Sequence, residues 1–162
     1  MKGTRWMAAV MFAAVVAAGV PARAEDSGAA DAALAEVQAR ARAGAAHFTE
    51  AIAGADSLRV RKAELPHSSF SGPVAYETAD PEEIAELGRV IRFEAPWDGG
   101  LCACIGEPTF EWLRDGELLV KATFVGGHEI RWHDGELTPG LTAESAKELK
   151  AWLEKRGIPY EH

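Results

Sequence analysis

Two cysteines, Cys102 and Cys104, stand one residue apart in the stretch LCACIGEP, and the 162-residue sequence contains no others. Thiols can form a disulfide, exchange with another disulfide, or bind a soft metal ion once they are deprotonated. The pair is therefore the first candidate for chemistry, and each of the three roles makes its own demands on the surrounding residues.

A disulfide between Cys102 and Cys104 would close a ring too small to stabilise the fold strongly. Chain entropy gives roughly 1.6 kcal/mol for a loop of three residues, against about 3 kcal/mol for one of fifteen. Strain in such a ring raises its reduction potential, as in redox-active pairs. However, catalytic pairs usually have two intervening residues and lie at a helix N-terminus. We expect a bridged or buried pair that shapes a turn, with thiol redox exchange as the alternative.

A metal site would need more ligands than the two cysteines supply. If strand parity runs unbroken from residue 101 to residue 114, His128 shares a face with Cys102 and Cys104, and His133 lies on the opposite face. These three ligands could hold Zn²⁺ or Cu(I), but a closed zinc site takes four. We therefore expect no cofactor, and zinc or copper binding through Cys102, Cys104 and His128 is the alternative.

The familiar catalytic and nucleotide-binding patterns are missing from the sequence. It contains no G-x-S-x-G, no H-E-x-x-H, no phosphate-binding glycine loop and no acidic calcium loop. An enzyme is therefore not our main expectation, and the redox alternative is the one catalytic role that the cysteines leave open.

The first 24 residues have the three parts of a secretory signal peptide. Lys2 and Arg5 precede an apolar run over residues 6–20, and Ala22 and Ala24 are the small residues before a cleavage site. The run is shorter than the roughly 20 residues that span a bilayer. The heavy use of alanine, glycine and arginine suggests a bacterial source. We predict a cleaved signal peptide and a periplasmic or extracellular protein.

The net charge disfavours several classes of partner. Removal of the signal peptide, which carries three basic residues and no acid, takes the formal charge from −8 to −11. A field of this sign repels phosphate backbones and anionic lipid. We expect no nucleic-acid partner and no transmembrane segment after signal removal. The expected partner is an unknown protein or a small ligand.

The elements that surround the cysteines follow from the apolar pattern. Residues 26–54 are predicted as a helix with one thin apolar stripe, and its alanines bury little area, so we expect it to be peripheral. The stripe consists of Leu34, Val37, Ala41, Ala45, Phe48 and Ile52. Residues 57–64 alternate as a strand with Leu58 and Val60 facing inward.

A loop, a helix and a strand are predicted next. Residues 65–79 contain two prolines and three serines, which are typical of a long loop. Asp80 is a helix N-cap followed by a proline and two acids, and Gly88 is the predicted end of that helix. The stretch RVIRFEAP then alternates as a strand with Ile91 and Phe93 on one face.

Residues 109–133 carry the clearest pattern, an antiparallel meander. Two-residue loops, Asp115-Gly116 and Gly126-Gly127, separate the strands TFEWLR, ELLVKATFV and HEIRWH. This register pairs Trp112 with Leu119 and Thr123 with Ile130. One face then collects Phe110, Trp112, Leu119, Val125, Ile130 and Trp132. The other collects Leu113, Leu118, Val120, Ala122 and Phe124.

A sheet with two apolar faces needs two covers. The segment from Thr142 to Arg156 can supply one as a helix with Thr142 as N-cap and Gly157 as its stop. Its predicted buried side is Ala146, Leu149, Trp152 and Leu153.

The predicted fold class is α+β, an antiparallel meander of about four or five strands covered by a C-terminal helix, with a peripheral Ala-rich N-terminal helix. Residues 25–56 are the helical arm and residues 57–162 a single domain. Trp112 and Trp132 are the candidate binding surface. The expected function is non-catalytic binding.

Overall fold

Five strands form one antiparallel sheet, with three helices on the same chain. The computed structural model describes residues 27–62, 72–94, 106–133 and 140–160. The elements are α1 (Ser27–Ile52), β1 (Ser57–Arg61), β2 (Val74–Thr78), α2 (Pro81–Val90), β3 (Thr109–Arg114), β4 (Glu117–Val125), β5 (Glu129–Trp132) and α3 (Ala143–Lys155). The strand order is β2-β1-β3-β4-β5, and each neighbouring pair is antiparallel. The predicted α+β class is confirmed.

The core lies between one face of the sheet and the helices. Leu58 and Val60 of β1 are fully buried, as predicted. Their cross-strand neighbours on β3 are Trp112 and Phe110. Residues of all three helices join the same core, including Phe48, Ile52, Ile84, Leu87, Leu149, Trp152 and Leu153. The helices therefore pack on a single face of the sheet.

The predicted assignment of apolar side chains to the two faces is wrong in part, because the strand register shifts at two places. Leu113 and Val125 are still buried on the face opposite Trp112. An extra residue on β4 makes Trp112 pair with Val120 instead of Leu119. The second hairpin has three loop residues, 126–128, so Val125 pairs with Glu129. Each one-residue shift moves the following side chains to the other face. Val120, Ala122 and Phe124 thus join the face that already holds Phe110, Trp112, Ile130 and Trp132.

An edge strand lies where a long loop was predicted. Residues 65–79 include β2, Val74–Thr78, which pairs with β1; residues 63–71 lie outside the described ranges. Only one side of an edge strand packs on a neighbour, and Val74 is 44 % exposed. The strand therefore lacks a strong apolar alternation, and the adjacent prolines and serines indicate a loop. The sequence pattern was misread for this reason.

The start of α2 matches the prediction and its end does not. The Asp80 carboxylate accepts a hydrogen bond from the backbone of Glu82 at 2.9 Å, which is the expected N-cap. The helix continues through Gly88 to Val90. Within residues 91–94 there is no strand: Ile91 caps the helix, and Phe93 forms one isolated bridge with Leu141. Ile91 and Phe93 both face the core, but they do so without belonging to a strand.

The C-terminal helix matches its prediction at both ends. The Thr142 side chain accepts a hydrogen bond from the backbone of Ser145 at 3.1 Å, and Gly157 ends the helix at a φ of 64°. The four predicted side chains, Ala146, Leu149, Trp152 and Leu153, are all buried.

The two halves of α1 differ in their packing. Phe48 is fully buried, and its ring meets those of Phe93, Trp112 and Trp132 edge-on at centroid distances of 5.6, 5.6 and 5.7 Å. Leu34, by contrast, is 47 % exposed. The C-terminal half of α1 therefore belongs to the core, while its N-terminal half lies along the periphery. In the described ranges, no helix is long and apolar enough to cross a membrane.

Candidate functional site

The predicted thiol site lies outside the described residues. Cys102 and Cys104 fall in the range 95–105, so their pairing, redox and metal roles stay predictions. The third candidate ligand, His128, is exposed in the second hairpin turn, with its Nδ1 at 2.8 Å from the carbonyl of Gly126. Within the described part of the chain, no group of three His, Cys, Asp or Glu side chains is placed to hold a metal ion.

The two tryptophans predicted as a binding surface are part of the core. Trp112 is fully buried and Trp132 is 5 % exposed. The helices cover the sheet face that carries both tryptophans, where the register shifts also place Val120, Ala122 and Phe124. The two indoles therefore offer almost no exposed surface to a ligand.

The opposite face of the sheet carries a network of charges around Glu111. The Glu111 carboxylate, 10 % exposed, lies 2.8 Å from Arg61, 3.5 Å from Lys121 and 3.7 Å from Arg59. Arg59 also pairs with Glu77 at 2.8 Å. A nearly buried carboxylate is tolerated when opposite charges and hydrogen bonds meet it. Because these charges satisfy one another, the network is better suited to holding β1, β3 and β4 together than to binding a ligand.

A histidine at the end of β5 contacts one threonine of β4, which in turn contacts a threonine of β3. His133 Nε2 lies 2.6 Å from the Thr123 hydroxyl, which is 3.3 Å from that of Thr109. Burial, and then the nearby charges of Lys121 and Arg131, lower the pKa of His133 from its ordinary value, which favours the neutral ring. Thr123 is only 1 % exposed. The hydroxyl is therefore inaccessible as a nucleophile, and the contact is structural.

A second polar cluster joins α3 to α2 and β2. The Arg156 guanidinium lies over the Trp152 ring at 3.8 Å from its centroid and pairs with Glu83 at 2.9 Å and Glu86 at 3.1 Å. The Tyr76 hydroxyl donates a hydrogen bond to Glu83. This bond is the main cause of the lowered pKa of the Glu83 carboxyl. The cluster fixes the position of the two helices.

An apolar groove of about 400 Å³ lies between the C-terminal end of α1 and one side of α2. Seven of its nine lining residues are apolar and most of these are small. The lining consists of Thr49, Ile52, Ala53, Ala55, Pro81, Ile84, Ala85, Gly88 and Arg89. The groove is open to solvent along α2, where Pro81 and Ala85 are exposed. Its volume falls in the range typical of small-molecule sites, about 300 to 1,000 Å³.

The groove was missed in the sequence, although a signal for it is present. Pro81, Ile84, Ala85 and Gly88 recur at the spacing that places side chains on one face of a helix. That spacing predicts an apolar face on α2. However, a buried face and an open groove have the same spacing, and only the packing of α1 distinguishes them.

Two further grooves, of about 400 and 360 Å³, run beside α3. Their linings include lysine and glutamate side chains, namely Lys147, Lys150 and Glu154 in one and Glu86, Glu148 and Lys155 in the other. No acidic residue lines the α1–α2 groove, which makes it the most apolar of the three and the best candidate site.

Comparison with known proteins finds no matching family model, no matching curated protein and no matching solved structure.

Proposed function

We propose that this protein is a non-catalytic binding domain of the bacterial periplasm or extracellular space, and that the groove between α1 and α2 binds a small, largely apolar ligand. The observation that carries this proposal is the open apolar lining of the groove. A ligand there would remove apolar surface from water at about 25 cal/mol per Å².

The other surfaces support the choice of the groove. Trp112 and Trp132 lie in the core, and the charged side chains around Glu111 are engaged with one another. Small side chains at Ala85 and Gly88 leave the α2 backbone close to an incoming ligand. At Gly88, the nearest atom that an added Cβ would meet is Ile52 Cδ1 at 3.8 Å, so the groove is unfilled at that position.

A blocking substitution tests the groove. Ala85→Phe should fill it and lower the affinity for the neutral dye Nile red by about tenfold, measured by fluorescence titration. Ala39→Phe is the matched control because Ala39 is exposed on α1 and does not line the groove. Thermal unfolding should confirm that both variants fold. If the Ala85 variant binds the dye as the parent protein does, the groove is not the site.

Export is a separate part of the proposal, supported by the signal-peptide pattern of residues 1–24. Protein recovered from the periplasm or medium should begin at Glu25, which N-terminal sequencing can establish. A mature protein that still begins at Met1 would defeat this part and leave the groove proposal in place.

A thiol-based function is the second candidate. Gly106, two residues after Cys104, packs against β4: an added Cβ there would lie 2.7 Å from Thr123 and 2.6 Å from Val125. The chain after the cysteines is thus tied to the charged sheet face that also carries His133. Thiol titration and metal analysis of the purified protein test this candidate. A readily reduced bridge or one equivalent of zinc or copper would favour it, and inert sulfurs without metal would remove it.

A further inference from the structure

The charge of the groove lining is opposite in sign to that of the whole chain. Arg89 is the one charged residue among the nine that line the groove, whereas the formal net charge of the chain is −8. The acids of α2 do not line the groove; Glu83 and Glu86 instead pair with Arg156. The groove therefore combines apolar walls with a single cation.

Arg89 has no carboxylate partner among the described residues, and it is the one arginine in the groove lining. Arg59, Arg61, Arg92, Arg131 and Arg156 each pair with one or more glutamates. Thr49, the other polar lining residue, already donates its hydroxyl to the carbonyl of Ala45 at 2.9 Å. The guanidinium of Arg89 is thus the group in the lining with hydrogen-bond donors to offer.

Resting on the proposed function, we infer that the groove binds a free single-chain amphiphile with an acidic head group, such as a medium-chain fatty acid, whose carboxylate pairs with Arg89. A planar guanidinium can donate two parallel hydrogen bonds to a carboxylate. The lining from Pro81 to Arg89 extends about 12 Å along α2 at 1.5 Å per residue. An unbranched apolar tail can lie along this length against the small side chains of Ala53, Ala85 and Gly88.

The charge of the chain favours a free ligand over a membrane-bound one. A protein with a net charge of −8 is repelled by an anionic bilayer, because many lipid head groups act on the side of the protein that faces the bilayer. A single free carboxylate at Arg89 is attracted mainly by that guanidinium, because the charges more than about 8 Å away are screened at physiological ionic strength.

Titrations with decanoate and with 1-decanol, followed by calorimetry, separate the head group from the tail. Arg89→Gln should weaken decanoate binding about tenfold and leave 1-decanol binding unchanged, because it removes a charge-assisted pair from an intact groove. Arg42→Gln is the matched control, since Arg42 is exposed on α1, has no ion pair with a described residue and does not line the groove. It should change neither affinity.

The outcomes distinguish the two proposals. If Ala85→Phe abolishes decanoate binding and Arg89→Gln leaves it unchanged, the groove stands and the head-group inference fails. If the parent protein binds neither decanoate nor 1-decanol, both the proposed function and the head-group inference fail. Co-sedimentation of the protein with phosphatidylglycerol vesicles would overturn the assignment of a free ligand.

Discussion

At the scale of single residues, the most deeply covered charged side chains in the described ranges meet opposite charges or ring faces. Glu111 lies among three cations, and Arg156, with a side chain 6 % exposed, lies against Trp152 and two glutamates. Removal of one partner would leave the other desolvated, which costs more than the pair contributes to stability. These clusters are therefore sensitive to substitution and to pH.

Tyr76→Phe tests this at Glu83. The pKa of the Glu83 carboxyl is lowered, mainly by the hydrogen bond from the Tyr76 hydroxyl and then by Thr78 and Arg156. When folding lowers the pKa of a carboxyl, the ionised group stabilises the protein fully at pH values above its pKa in the unfolded chain. That contribution is lost as the pH falls through its pKa in the folded protein. The parent should be more stable than the variant at neutral pH, and the difference should narrow below pH 4.5. Urea unfolding across this range measures it; a constant difference would contradict the assignment.

At the scale of elements, the sequence encodes ends of helices more clearly than strand register. Thr142 and Gly157 bound α3 by local hydrogen bonding and a positive φ, so both could be predicted. The extra residue on β4 and the three-residue second turn depend on packing across strands. No local pattern marks them, and the face of the sheet was misassigned for that reason. The same error made Trp112 and Trp132 look like a surface.

Replacing glycine by alanine should change the free energy of unfolding in opposite directions at two positions. Gly88 lies inside α2 and an added Cβ meets only an ordinary contact at 3.8 Å, so Gly88→Ala should stabilise by about 0.5 to 1 kcal/mol. Gly116 has a φ of 80° in the first hairpin, so Gly116→Ala should destabilise by about 1 to 2 kcal/mol. Chemical denaturation of both variants measures these changes. Equal signs would mean that one of the two backbone assignments is wrong.

At the scale of the whole molecule, three helices on one face of the sheet give a two-layer structure with a charged outer face. The groove lies where the C-terminal end of α1 passes beside α2. Its apolar spacing could be identified in the sequence, but its openness depends on where α1 packs after a chain reversal that no local signal specifies. The presence of α2 and its apolar face could thus be predicted, and the open groove beside it could not.

A pair of truncations tests how α1 is held in this structure. Phe48→Ala should cost about 3 to 5 kcal/mol, because Phe48 is fully buried among three aromatic rings. Leu34→Ala should change the free energy of unfolding by less than about 0.5 kcal/mol, since Leu34 is 47 % exposed. Thermal or urea unfolding compares them. Similar losses would show that both halves of α1 pack equally well.

The central claim is that the α1–α2 groove is the binding site, and chemical-shift mapping of the isotope-labelled protein during a decanoate titration tests it most directly. We predict that saturable shifts cluster at Thr49, Ile52, Ala85, Gly88 and Arg89. Shifts confined to the charged sheet face around Thr123 and Lys121, or no saturable shifts at all, would contradict the account.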